Sequence, residues 1–146
     1  MKKWIDYFTE KNGVAQVFQG QENIPEFKGI PLVNIRVKPS EIVFGWYFPL
    51  PIIDLPKKWK DREYNCIHVS IVLDNVQSFK IERSPEVVRN SQYHEYELFD
   101  VSFNKNDNLF HFEAFGDFNT KIVGVSRYLG SGAIPFKNEI YDETRI

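Results

Sequence analysis

Tyr64-Asn-Cys-Ile-His-Val-Ser-Ile-Val-Leu73 decides the fold class. Ile67, Val69, Ile71 and Leu73 recur at every second position, with His68, Ser70 and Val72 between them. A period of two places the first set on one face of an extended chain and the second on the other, which is a half-buried β-strand. Similar alternation extends outward in both directions, and no compact metal, nucleotide or nucleophile motif stands beside it. Function is therefore expected in a surface and not in a pocket.

Upstream, Val33, Ile35 and Val37 alternate with Asn34, Arg36 and Lys38, and Pro39-Ser40 separates them from Ile42 to Phe48, which carries aromatics on both faces. These read as two antiparallel strands joined by a tight turn. Pro49, Pro51 and Pro56 exclude a regular central strand and leave Pro49 to Arg62 as an extended loop. Before the strands, Trp4-Ile5-Phe8 and Val14-Val17-Phe18 flank Asn12-Gly13, predicting helical turns on either side of a break, followed by a connector from Gly20 to Pro31.

Downstream, Asp74-Asn75 is a turn-favouring pair, so Val76 to Arg83 is expected to return as the second arm of a hairpin. Ser84 to Ser91 reads as a surface excursion. Tyr93 to Phe103, Leu109 to Phe115 and Phe118 to Tyr128 supply three more strands, the first two joined by the polar connector Asn104 to Asn108. The expectation is a mainly β domain of about seven antiparallel strands, either a sandwich or one strongly curved layer, with a short N-terminal helical segment. Residues 1–146 form a single domain, in which Gly130-Ser-Gly132 and Pro135 open a loosely held tail over residues 130–146.

At 146 residues, with 42% hydrophobic side chains and 13 phenylalanines, the chain can bury a core without metal or disulfide help. Its single cysteine, Cys66, cannot form an internal disulfide and suits a reducing compartment. Met1-Lys-Lys-Trp-Ile-Asp6 runs directly into polar residues with no apolar segment, so a cytoplasmic location is expected and no membrane partner. Net charge is -2. Residues 1–60 hold 9 basic and 6 acidic side chains, against 9 and 14 in residues 61–146, which disfavours nucleic acid as a main partner.

Chemistry-bearing motifs are sparse. His68, His94 and His111 all fall in expected strands, and His111 shares a strand face with Glu113, the one pairing that resembles an acid and base; no hydroxyl or thiol is placed to complete a nucleophilic system. No Cys-x-x-Cys or His-Glu-x-x-His frames a zinc ion, no Asp-rich loop frames calcium, and Gly130-Ser-Gly132 lacks the Lys-Ser/Thr of a phosphate loop. No enzyme activity, metal or cofactor is expected. Glu95, Glu97, Asp100, Asp107, Glu113 and Asp117 lie on or between successive strands. They either solvate the sheet or form a negative surface that docks on the basic active site of a partner, in the place of phosphate.

Lys57-Lys58-Trp59-Lys60 with Arg62 interleaves one aromatic and four positive charges in the proline-framed loop. Trp59 anchors the loop inward, or Lys57 and Lys58 face a partner. A rival function is a small-molecule or carbohydrate-binding β domain built on Trp46, Tyr47, Trp59 and Tyr128.

The order of several units resembles the immunity protein 50 family. They are the Trp-Ile-Asp-Tyr element at Trp4 to Tyr7, early strands ending at a proline-rich loop, Pro56-Lys-Lys-Trp59, the Asn-x-Ile/Val-x-Val/Ile strand at Asn65 to Leu73, and a hydrophobic strand at Ile122 to Tyr128. The chain departs from that pattern after Lys80, where Ile81-Glu-Arg-Ser-Pro85 replaces a Gly-Trp-like element. The resemblance implies a cytoplasmic bacterial protein that binds and neutralises a cognate polymorphic toxin, with no catalysis and no cofactor; a nuclease is the kind of partner that the negative surface would suit. It implies that Trp4, Pro56 and Trp59 are fold positions. Glu95, Glu97, Asp100, Glu113, Asp117, Lys57 and Lys58 are then the candidate toxin contacts.

Overall fold

The computed structural model describes residues 3–8, 13–18, 24–49, 66–83, 97–117 and 119–136. Six antiparallel strands, β1 (Ile30–Val37), β2 (Glu41–Pro49), β3 (Cys66–Glu82), β4 (Leu98–Asn106), β5 (Leu109–Gly116) and β6 (Lys121–Phe136), follow a 3-10 turn at Trp4–Tyr7 and one helical turn, α1 (Val14–Val17). The strand order is β1-β2-β3-β6-β5-β4, closed into a barrel where Ile30 pairs with Phe99 and Pro31 with Leu98. Of the two expected arrangements, the strongly curved layer is the one realised, and it closes on itself.

The opening stretch behaves as its alternation predicts: Ile67, Val69, Ile71 and Leu73 are wholly buried, while His68, Ser70 and Val72 are half-buried on the outer face. The hairpin expected at Asp74-Asn75 does not form. Asn75 takes a left-handed φ of 54°, the ladder to β6 slips by one residue between Val76 and Ser78, and the strand continues. Asn tolerates that conformation better than most residues, and with a bulge it bends the strand instead of reversing it. β6 accompanies β3 along its whole length, from Cys66 opposite Phe136 to Glu82 opposite Lys121, and this long-range pairing overrides the local turn signal.

The same ladder corrects the tail. Gly130-Ser-Gly132 is strand, with Gly130 opposite Val72 and Gly132 opposite Ser70, and β6 runs to Phe136; residues 137–146 lie outside the described residues. The connector expected over residues 104–108 shrinks to two residues, Asp107 and Asn108, at φ 51° and 64°. Two left-handed residues match the twist of a tight hairpin, and Asp and Asn are among the few side chains that accept them.

The inner face is filled by aromatics. Phe44, Trp46 and Phe48 of β2, Phe99 of β4 and Phe112 of β5 are at most 1% exposed. Phe27 meets Trp46 and Phe48 edge-to-face at 5.0 Å, and Phe44 stacks on Phe112 at 4.8 Å. Burial of each such side chain contributes about 1.5–3 kcal/mol. The N-terminal segment adds to this core: Trp4 stacks on Phe48 at 5.5 Å and donates its indole N–H to the Pro25 carbonyl, and the Val14 amide donates to Ser131 Oγ. Trp4 is thus a packing residue. Asp6 accepts the Lys3 amide at 2.9 Å and closes the first turn.

Candidate binding surface

Two sets of outward-facing side chains result from the bend in β3. The first covers β4, β5, β6 and the distal half of β3, and the register arranges it in rows. Asp100, Phe115, Lys121 and Glu82 form one row, and Ser102, Glu113, Val123 and Lys80 the next; Asn104, His111, Val125 and Ser78 form a third. The carboxylates singled out from sequence do not make a uniform negative face here, because Lys80 and Lys121 stand among them.

Four of the seven candidate contacts lie among the described residues. Glu97 pairs with Arg83 at 3.0 Å, its side chain only 10% exposed. Asp100 accepts the amide of Gly29, which turns at φ 65° into β1, at 2.8 Å; it therefore holds the closing seam of the barrel. Glu113 and Asp117 are exposed, and their carboxylates have no hydrogen-bond or ion-pair partner among the described residues. Glu95, Lys57 and Lys58, like Trp59, lie outside the described residues. Of the two acidic groups bound to internal partners, the Arg83–Glu97 pair was not legible because the residues are 14 apart in sequence and meet only through the fold.

Lys80 and Glu82 form an ion pair at 2.6 Å. The hydrogen bond and charge of Glu82 raise the Lys80 ammonium above its ordinary range, and those of Lys80 hold the Glu82 carboxyl below its own. Both are solvent-exposed, so this pairing orients the side chains more than it stabilises the fold.

His111 and Glu113 do share a face, beside Ser102 and Asn104, in a shallow surface depression. No hydrogen bond joins Ser102, His111 and Glu113 among the described residues. Ser102 is therefore not held as a base-activated nucleophile by either side chain. The described residues include no group of three or more His, Cys, Asp or Glu able to hold a metal ion. No helix of the described residues is long and apolar enough to cross a membrane.

The second outward set covers β1, β2, the proximal half of β3 and the end of β6. Asn34 and His68 extend over Gly45, where an added Cβ would fall 2.5 Å from Asn34 Oδ1 and 2.7 Å from His68 Nε2. Burial, and secondarily the charge of Arg36, depress the His68 imidazole below its ordinary value, partly offset by a backbone hydrogen bond. Tyr128 and Ile134 are exposed at the margins, at 60% and 64%. An isolated glycine in an aromatic strand was the available sequence signal for this crowded point.

Of the aromatics considered from sequence for a ligand site, the three that lie among the described residues, Trp46, Tyr47 and Tyr128, do not come together. Trp46 is wholly buried inside the barrel, against Phe27, Phe44 and Phe99. Tyr47 lies in the row of His68 and Ile134, and Tyr128 opposite Asp74, which itself faces Glu41. Tyr47 and Glu41 are six residues apart on β2, so the two tyrosines are separated by about 20 Å along the strands. No family model matches this chain, and no curated protein or solved structure matches it.

Proposed function

We propose that this protein is a bacterial immunity protein that binds a cognate polymorphic toxin and occludes its active site. One observation carries the reading. The barrel interior is occupied by the protein's own aromatics, whereas Glu113 and Asp117 stand exposed on the outer surface with no internal partner among the described residues. Recognition through such a surface needs no cofactor and no bond making; charged side chains orient the encounter, and neighbouring apolar groups such as Phe115 and Val123 supply contact area. The ordered resemblance from Trp4 to Tyr128 supports the same reading.

Glu113 and Asp117 are the leading contacts, with Glu95, Lys57 and Lys58 as further candidates. Glu97 and Asp100 contribute mainly by fixing the surface through Arg83 and Gly29. A nuclease is the toxin class that exposed carboxylates suit, since they can occupy phosphate positions at a basic active site. The test is protection: cells expressing the toxin encoded beside this gene should survive when this protein is co-expressed and die without it. Equal killing in both would overturn the proposal.

A further inference from the structure

Among the described residues, the distal half of β3 has an open edge. The β2 ladder stops where Glu41 meets Asp74, and the Val76 amide donates one last bond, 3.1 Å, to the Ser40 carbonyl. From Gln77 to Glu82, β3 pairs with β6 alone, and nothing among the described residues hydrogen-bonds its other side. Unpaired N–H and C=O groups along such an edge form a template for one more strand.

The side chains select which strand. Lys80 and Glu82 lie on the outer face, and Ile81, 46% exposed, lies between them on the inner one. Consider an antiparallel copy of the same edge related by a two-fold axis at Ile81. Lys80 then faces Glu82 of the second copy, Glu82 faces Lys80 of the second copy, and the two Ile81 side chains meet. Moving the axis to Lys80 or to Glu82 sets like charges directly opposite, which is unfavourable. Charge complementarity thus singles out one register of self-pairing from its immediate neighbours. The existing Lys80–Glu82 pair is exposed, so redistributing it between chains costs little.

We propose that the distal edge of β3 is a homodimer interface, in which two copies pair antiparallel about Ile81 in an isologous contact. A short edge buries little surface, so the dimer is weak and concentration-dependent. Analytical ultracentrifugation of the full chain from micromolar to millimolar concentration should show a reversible monomer–dimer equilibrium.

Lys80→Glu and Glu82→Lys should each weaken dimerisation about tenfold, since each sets two like-charge pairs across the axis. An equimolar mixture of the two variants should recover a heterodimer, because every cross-strand pair is then opposite in charge. Both positions are exposed, and unchanged thermal melting of each variant would show that folding is intact. Wild type that stays monomeric throughout would overturn the proposal. So would single variants that dimerise like wild type, or a mixture that fails to recover association.

Discussion

Two glycines of β6, eight residues apart, should respond oppositely to the same substitution. Gly124 faces the core between Phe79 and Phe112, and an added Cβ would come within 2.7 Å of Leu73 Cδ1, with Phe79 Cδ2 at 3.6 Å and Phe112 Cδ1 at 3.9 Å. Carbon atoms prefer about 3.5–4.0 Å, so wholly buried Leu73 has to retreat by roughly 1 Å. Overpacking of this kind costs about 1–3 kcal/mol, against about 0.4–1 kcal/mol recovered from the reduced entropy of the unfolded chain. Gly124→Ala should therefore be destabilising by about 1–2 kcal/mol. At Gly132 an added Cβ meets only Ser70 Cβ, at an ordinary 3.8 Å, and the backbone is not left-handed. Gly132→Ala should stabilise by about 0.4–1 kcal/mol. For a domain of this size each 1 kcal/mol shifts the melting temperature by about 2–4 °C. Urea titration and thermal melting of both variants would check this. Equal effects, or a destabilised Gly132→Ala, would refute both the packing argument and the assignment of residues 130–132 to a strand.

Asn75→Val should destabilise the fold by about 1–2 kcal/mol in urea titration, because a β-branched residue resists the left-handed conformation that bends β3. His68 is held below its ordinary value, so folding favours its neutral form. Its contribution is complete above the unfolded value near 6.5 and is lost as pH falls through the folded value; His68→Gln should flatten the fall in stability that sets in below about pH 6.5. Reversing Glu113 and Asp117 to lysine should weaken toxin binding in calorimetry with little change in melting temperature, and unchanged affinity would remove them from the interface.

The strands were legible wherever alternation is governed by burial on one side. Ile42, Phe44, Trp46 and Phe48 share the inner face of β2 as their spacing requires, and the core half of β3 follows the same rule. Residues whose local preference is shared by two structures were not legible. Asp74-Asn75 suits a reversal or a bend, and Gly130-Ser-Gly132 a loop or an uncrowded strand; in both cases the register between β3 and β6 decides, through contacts more than 50 residues apart at Asp74 and Tyr128. The ladder that closes the barrel has two residue pairs, Ile30 with Phe99 and Pro31 with Leu98, too few to leave a periodic signature. At the candidate surface, charge type was readable but charge partnership was not. Nothing local to Glu97 or Asp100 points to Arg83 or to the Gly29 amide.

The proposed function requires that this outer surface capture a toxin. Co-purification with a catalytically crippled product of the adjacent upstream gene tests it most directly. A stoichiometric complex that survives gel filtration is predicted, weakened by reversing Glu113 and Asp117. Failure to form any complex across low and high salt would overturn the proposed function.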